Sequence, residues 1–369
     1  MDILILGAGV RAAAFSALRI GLRPACADLF SDADLASACP SDRIEPADYP
    51  DGLLAFADRI EPTDWIYTGA LENRPELVDA ISRRHRLLGN SGGILRAIRD
   101  PVALAGAVRV AGMMAPEVRL GPDGLPRDGS WLRKPVASGA GRDIRPWLGG
   151  GDGGGRAACY QRKIDGLPLA SIHVGDGSTA RLMGITRQLV GSPGNPFAYR
   201  GSLGPWPVSP EVRDRVERLG EVVAAAFGLV GLFGIDLILN GGQPWPIEVN
   251  PRYTASVEVL EWALGRSLLS EHLAGCGREI DGVLPPGPGL GGFVGKAIVH
   301  ADRAGVWRGP TGREPTTGPM EFPEVADVPR PGTPFRPGEP VLTVFARDST
   351  PEDCLARLDE MSARWARSW

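Results

Sequence analysis

The chain has 369 residues, more than one hydrophobic core ordinarily holds, so two or three domains are expected. Apolar residues make up 43% and charged residues 23%, with a net charge of −4, which excludes a disordered or fibrous chain and leaves no basic footprint for a nucleic-acid partner. No run approaches the roughly 18 apolar residues of a membrane span, and no basic region precedes the short apolar stretch of MDILILGAGVRAAAF, so a cytoplasmic protein without a membrane partner is expected.

The first elements read strand, glycine turn, helix: Ile3 to Leu6, then Gly7 and Gly9, then an alanine-rich stretch from Arg11 to Ile20. A strand from Pro24 to Ala27 ends at Asp28, which together with Ala12 resembles the dinucleotide pattern G-x-G-x-x-G/A followed by an acid. The same geometry opens many Rossmann-like units that bind no dinucleotide. With a buried strand at Asp64 to Thr68 and an amphipathic helix at Pro75 to Arg86, residues 1–90 form a small α/β domain.

Helical text from Gly89 to Met114 breaks at Asp100 and Pro101, where proline suits a first helical position. Strands follow at Val118 to Leu120 and Trp131 to Val136, and the glycine tract 149–155 reads as a flexible hairpin end or linker. Ser209 and Pro210 start a long helix that runs to about Phe227. Beyond residue 280 the composition turns to Pro and Gly, with strands at Gly291 to His300 and Pro340 to Ala346 and a last helix from Thr350 and Pro351. This gives domains 1–90, 91–280 and 281–369, the last a small β-rich lobe.

Five scattered cysteines without a CxxC pair fit reduced thiols, and four histidines show no metal spacing. Only three of the 40 basic residues are lysine, namely Lys134, Lys163 and Lys296, which marks these as positions that want a compact ammonium. Lys134 ends a strand just before Ser138, Gly139, Ala140 and Gly141, a combination suited to a nucleotide triphosphate. YQRKIDG, from Tyr160 to Gly166, reads as a strand entering a turn on which a base could lie flat.

The pattern GIDLILNGGQPWPIEVNPRYTAS, Gly234 to Ser256, reads as a hairpin. Glu248 and Asn250 share one strand face. A three-residue loop, Gly241 to Gln243, sets Asp236 opposite Glu248, whereas a two-residue loop slips the register and sends the two acids to opposite faces. Facing carboxylates among apolar residues need a cation between them, and carboxylates, an amide oxygen and phosphates form an oxygen set that suits Mg²⁺. Acids at a solvated strand edge are the alternative.

Taken in order, the lysine strand, glycine loop, Gln-x-x-Ile-x-Gly hinge, Asp and Glu-x-Asn resemble the ATP-grasp superfamily of carboxylate-amine ligases. The resemblance implies an α/β (α+β) ATP-grasp fold with an N-terminal Rossmann-like domain and a small C-terminal lobe. It also implies ATP and Mg²⁺ as cofactors. By position it puts Lys134 on the α- and β-phosphates, Gly139 and Gly141 in the lid, and Gln161, Arg162 and Ile164 at the adenine hinge. Asp236, Glu248 and Asn250 then hold magnesium, and Arg252 contacts phosphate or acyl phosphate. The implied activity joins a small carboxylate to an amine through an acyl phosphate, with a homodimer as one assembly open to it. A carboxylate kinase, a bicarbonate-using carboxylase and a nucleotide-binding regulatory protein are the alternatives.

Two departures stand out. Arg99 occupies the place of an early phosphate-binding lysine, and Pro168 that of a ribose-binding acid. YTGALEN (67–73), YRGSLGP (199–205) and GFVGKAIVHADRAG (292–305) are similar to a group of predicted ligases related to biotin carboxylase, which accompany genes for tetrahydromethanopterin and methylofuran. That likeness implies an amino acid such as glutamate as one substrate.

Overall fold

The structure, a computed structural model, describes residues 1–150, 157–192, 194–280, 289, 291–309 and 318–366. Residues 151–155 of the glycine tract expected as a hairpin end or linker lie outside the described residues.

The N-terminal unit is a parallel sheet of β1 (Ile3–Leu6), β2 (Pro24–Asp28), β3 (Ser41–Arg43), β4 (Asp64–Tyr67) and β5 (Arg86–Leu87), ordered β3-β2-β1-β4-β5. Its helices are α1 (Arg11–Arg19), α2 (Ala33–Ala38), α3 (Gly52–Asp58) and α4 (Pro75–Ile81). β1 is apolar throughout because both its faces are covered. Leu4 and Leu6 pack with Leu53, Phe56 and Leu77, while Ile3 and Ile5 share a cluster with Ala13 and Ala17. The helix expected over Pro75 to Arg86 stops at Ile81, because Arg86 joins the sheet beside Asp64 and the buried His85 ring meets the Thr63 amide and the Ala57 carbonyl.

The acid of the dinucleotide-like pattern serves its own loop. One carboxylate oxygen of Asp28 accepts the Val10 amide and the other the amides of Phe30 and Ser31. Both oxygens hold the loop and the residue is only 1% exposed, so the glycine turn is built as a structural one.

Two helices follow, α5 (Gly92–Ile98) and α6 (Pro101–Val110), the latter capped by Asp100, whose side chain accepts from Val102 and Ala103. A four-stranded antiparallel sheet comes next, from β6 (Val118–Arg119), β7 (Trp131–Pro135), β8 (Arg145–Pro146) and β9 (Ala158–Arg162). Trp131, Trp147 and Tyr160 close one face of it, leaving Lys134 and Gln161 on the other.

The large sheet begins with β10 (Leu167–Asp176), β11 (Ala180–Ser192) and β12 (Asn195–Gly204). After α7 (Pro210–Phe227) it takes β13 (Val230–Asn240) and β14 (Gln243–Asn250). Ser209 caps α7, and the helix ends at Gly228 in the left-handed region (φ 68°); its apolar stripe packs on Leu169, Phe233 and Ile235. On the other face, α8 (Ala255–Leu264) and α9 (Leu269–Gly275) join a core shared with β1 and α1.

The C-terminal segment was expected as a lobe of its own. Its strands β15 (Phe293–His300), β17 (Val325–Ala326) and β19 (Pro340–Asp348) instead extend the large sheet, in the order β14-β13-β10-β11-β12-β15-β19-β17. β16 (Gly305–Val306) pairs with β18 (Pro334–Phe335), and α10 (Pro351–Trp365) packs Cys354 and Leu358 into the cluster beneath β15 and β19. Among the described residues no helix is long and apolar enough to cross a membrane.

Candidate active site

The hairpin of β13 and β14 sets the first part of the site. Its turn is the two-residue Gly241–Gly242, both at positive φ, and Asn240 pairs with Gln243. By loop length alone the acids would point apart. They do not, because β14 carries a bulge: Leu237 pairs with Pro246, Asp236 with Glu248 and Gly234 with Asn250, leaving Ile247 as the extra residue. The register expected from a three-residue loop is therefore reached by a different device.

Ile247 has a second role. Its carbonyl accepts from Lys134 Nζ at 3.0 Å, and the same ammonium donates to Gln161 Oε1 at 3.1 Å. Lys134 and Gln161 are diagonal neighbours on β7 and β9, since Lys134 pairs with Cys159 and Leu132 with Gln161. The loop after β7 folds onto β12, where the Tyr199 amide donates to the Ala140 carbonyl at 3.1 Å. Gly141, at φ +71°, fits there only as glycine, because a Cβ would stand 1.8 Å from the Phe197 carbonyl oxygen.

Around the acids, Gln188 Nε2 donates to one oxygen of Asp236 at 2.8 Å and Asn250 Nδ2 to the other at 3.2 Å. Burial first, and the charge of Glu248 second, push the Asp236 carboxyl up to about 7. Glu248 is met by the guanidinium of Arg99, which also donates to Asn73 Oδ1 at 2.9 Å and to the Ser138 carbonyl at 3.2 Å. Arg99 thus stands on the acid pair itself. Arg252 donates through Nη2 to Glu72 Oε1 at 2.6 Å and to Asn250 Oδ1 at 3.2 Å. Burial disfavours its charge, but Glu72, together with Glu248 and Asp236, outweighs burial and holds the guanidinium above its ordinary pKa.

A cavity of about 350 Å³ is lined by Lys134, Gly139, Gly141, Gln161, Arg162, Ile164, Asp236, Glu248, Asn250 and Arg252, the ten residues to which the resemblance gave a site role. Of the other two lysines, Lys163 lies at its edge in a local pair with Asp165 (2.8 Å), and Lys296 is buried on Glu258 (3.1 Å). Pro168 also lines the cavity. Gln188 and Glu72 were not anticipated. Gln188 reaches Asp236 only through the register of β11 beside β10, and Glu72 meets Arg252 across 180 positions of sequence, so neither contact leaves a local pattern.

Two carboxylates and an amide oxygen are too few donors to enclose a divalent ion, and their mutual repulsion suits one that arrives with phosphate oxygens of its own. The residues present therefore fit a nucleotide-borne Mg²⁺.

Residues 101–256 match the family model of the ATP-grasp domain. A curated relative, the carbamoyl phosphate synthase large chain of Pseudomonas putida, is 39% identical over 67 residues, which cover 18% of this chain and 6% of that protein. The chain thus spans only a small part of the curated relatives it matches. Among solved structures, the biotin carboxylase domain of Hydrogenobacter thermophilus 2-oxoglutarate carboxylase, in complex with MgADP, ADP and bicarbonate, aligns with a TM-score of 0.71 at 14% identity, covering 97% of this chain and 89% of that one. Phosphoribosylamine–glycine ligase of Thermotoga maritima aligns with a TM-score of 0.68 at 17% identity, over 98% and 96%. The chain has the ATP-grasp fold.

Proposed function

We propose that the protein is a cytoplasmic ATP-dependent ligase that activates a carboxylate as an acyl phosphate and joins it to an amine. One observation carries this reading: the Lys134 ammonium and the facing pair Asp236 and Glu248 line one cavity closed by a glycine loop. The ligase and carboxylase titles of the structural neighbours support the same chemistry.

In this reading Asp236, Glu248 and Asn250 would hold Mg²⁺, which would neutralise charge on the triphosphate. Lys134 turns from its two carbonyl acceptors to the phosphates, and Gly139 and Gly141 let the loop backbone close over them. Gln161, Arg162 and Ile164 form the adenine hinge. The amides of Arg162 and Lys163 already donate to Glu117 and Ser130, so backbone bonding to a base falls to Ile164. A carboxylate oxygen attacks the γ-phosphorus and ADP leaves; the amine then attacks the acyl carbon and phosphate departs. Arg252, at the border of the cavity, steadies the acyl phosphate, and no side-chain nucleophile is required.

The narrower reading is an amino acid such as glutamate as one substrate, in the assembly of a one-carbon carrier of methylofuran or tetrahydromethanopterin type. The likeness of three stretches supports it, and residues they supply or hold come together: Tyr199, Lys296 and Arg252, which Glu72 holds, line one cavity.

The test is incubation with MgATP and a panel of acids, with and without amines, following ADP and trapping acyl phosphate with hydroxylamine. Amine-dependent ADP release with amide formation is expected. ADP release indifferent to amine indicates a kinase or carboxylase, and MgATP binding without turnover on any acid indicates a regulatory protein.

A further inference from the structure

A second cavity, of about 360 Å³, lies between the N-terminal sheet and strands β15 to β19, and shares Tyr199, Arg252, Thr254 and Ala255 with the nucleotide cavity. Its middle is apolar, with Phe30, Ile298, Phe335 and Val341 on its walls. Its far end holds Asp32 and Asp327 beside Arg11.

The charges around it nearly all have partners. Arg11 holds both oxygens of Glu258 (2.7 and 2.9 Å) and donates through Nε to Asp327 (2.7 Å), while Lys296 sits on Glu258 and Arg252 on Glu72. Asp34 accepts the amides of Asp327 and Val328, and Arg43 pairs with Glu45 at 3.7 Å. Arg330, exposed at the mouth, donates to the carbonyl and hydroxyl oxygens of Ser31. Asp32 is the exception. It lines the cavity and is 8% exposed, yet among the described residues its carboxylate has no hydrogen bond and no ion pair.

A buried carboxylate left unpaired beside a second one is costly unless a cation reaches it. Burial first, then the charges of Asp327 and Asp34, push the Asp32 carboxyl well above its ordinary range, and the charge of Arg11 only partly offsets them. The strand spacing relates this end to the nucleotide side. Asp327 accepts from Thr343 on β19 at 2.5 Å, and β19 lies two strands beyond β12, the strand of Tyr199, which is about 10 Å.

We propose that this cavity holds an organic substrate whose protonated amino group binds Asp32 and Asp327, about 10 Å from the wall shared with the nucleotide cavity, with an apolar body between. The assignment of the shared wall as the reacting end rests on the ligase reading above; the ammonium site itself does not.

The test uses hexylamine, 1,6-diaminohexane, 1-hexanol and hexanoate as probes, with binding measured by calorimetry and thermal shift on the wild-type protein and on Asp32→Asn. The amines are expected to bind at least about tenfold more tightly than hexanol or hexanoate, and Asp32→Asn to lose about tenfold in amine affinity. Amines binding no better than hexanol or hexanoate, no amine binding at all, or a folded Asp32→Asn with unchanged amine affinity overturns the proposal. The ranking of probes on the wild type decides the matter even where the variant fails to fold. MgATP titration of the wild type reports on the nucleotide site separately: its failure sinks the ligase reading and leaves a positive amine result standing.

Discussion

Glu72, in the loop after β4, holds Arg252, two residues past the hairpin of β13 and β14, through a 2.6 Å hydrogen bond within a largely buried ion pair. The N-terminal unit therefore sets the position of a guanidinium that borders both cavities. Glu72→Gln keeps the shape and removes the charge. We expect kcat/KM to fall by roughly 10- to 100-fold, with MgATP affinity changed less than threefold. Steady-state kinetics set beside nucleotide titration checks this, and an equal loss in both would place Arg252 on the nucleotide instead.

The two lid glycines should behave differently. A Cβ at Gly141 meets the Phe197 carbonyl at 1.8 Å, whereas one at Gly139 meets nothing within 4 Å. Gly141→Ala is expected to open the loop, raise KM for ATP by about tenfold and speed proteolysis near residue 140, while Gly139→Ala leaves proteolysis as in the wild type.

Lys134→Arg tests the need for a compact ammonium. Its Nζ fits between the Gln161 and Ile247 oxygens, a place cut for one nitrogen and not for a planar fork. A loss of about 100-fold in kcat/KM is expected, little better than Lys134→Met, and near-wild-type activity in the arginine variant would contradict it.

Asp236 is half-buried and faces Glu248, so without a cation its ionised form destabilises the fold. Its folded pKa lies above its ordinary value, so the penalty is absent at low pH and grows as pH rises from about 4 through about 7. Asp236→Asn is expected to melt several degrees higher than the wild type at pH 8 without nucleotide, and to lose Mg²⁺-dependent turnover. Scanning calorimetry with and without MgATP separates the two effects.

Acid should weaken the protein in two stages. Burial lowers His272 to about 4 and His173 to about 3, so the unfolded chain takes up protons first, and stability is lost as pH falls from about 6.5 toward those values. Burial opposes the charge of Glu258, but Arg11 and Lys296 outweigh it and hold the carboxyl at about 2, so its contribution fades between about 4.5 and 2. His272→Gln should shrink the upper stage to the part His173 supplies and leave the lower one, as read from melting temperature against pH.

The parts legible in the sequence were those with local causes. Ser209 and Pro210 mark the start of α7, and Asp100 and Pro101 that of α6. The alternation around Asp236 and Glu248 foretold a face with two acids, yet the register came from a bulge that no turn signal announces. Contacts across long separations were invisible: Glu72 with Arg252, Gln188 with Asp236, and Arg99 with Glu248. The C-terminal strands looked independent because composition changes at residue 280, but strand pairing depends on edges, and β12 offered one to β15.

The extra residue at Ile247 also uncouples the chemistry of the hairpin from the length of its tip. A sequence that gains one residue between Asn240 and Gln243 and loses the kink at Ile247 would present the same two carboxylates to each other, at the cost of the carbonyl that tethers Lys134. Distant cousins can thus spell one pocket with two hairpins of unequal outline, and an alignment that forbids paired gaps there will misplace its most informative acid.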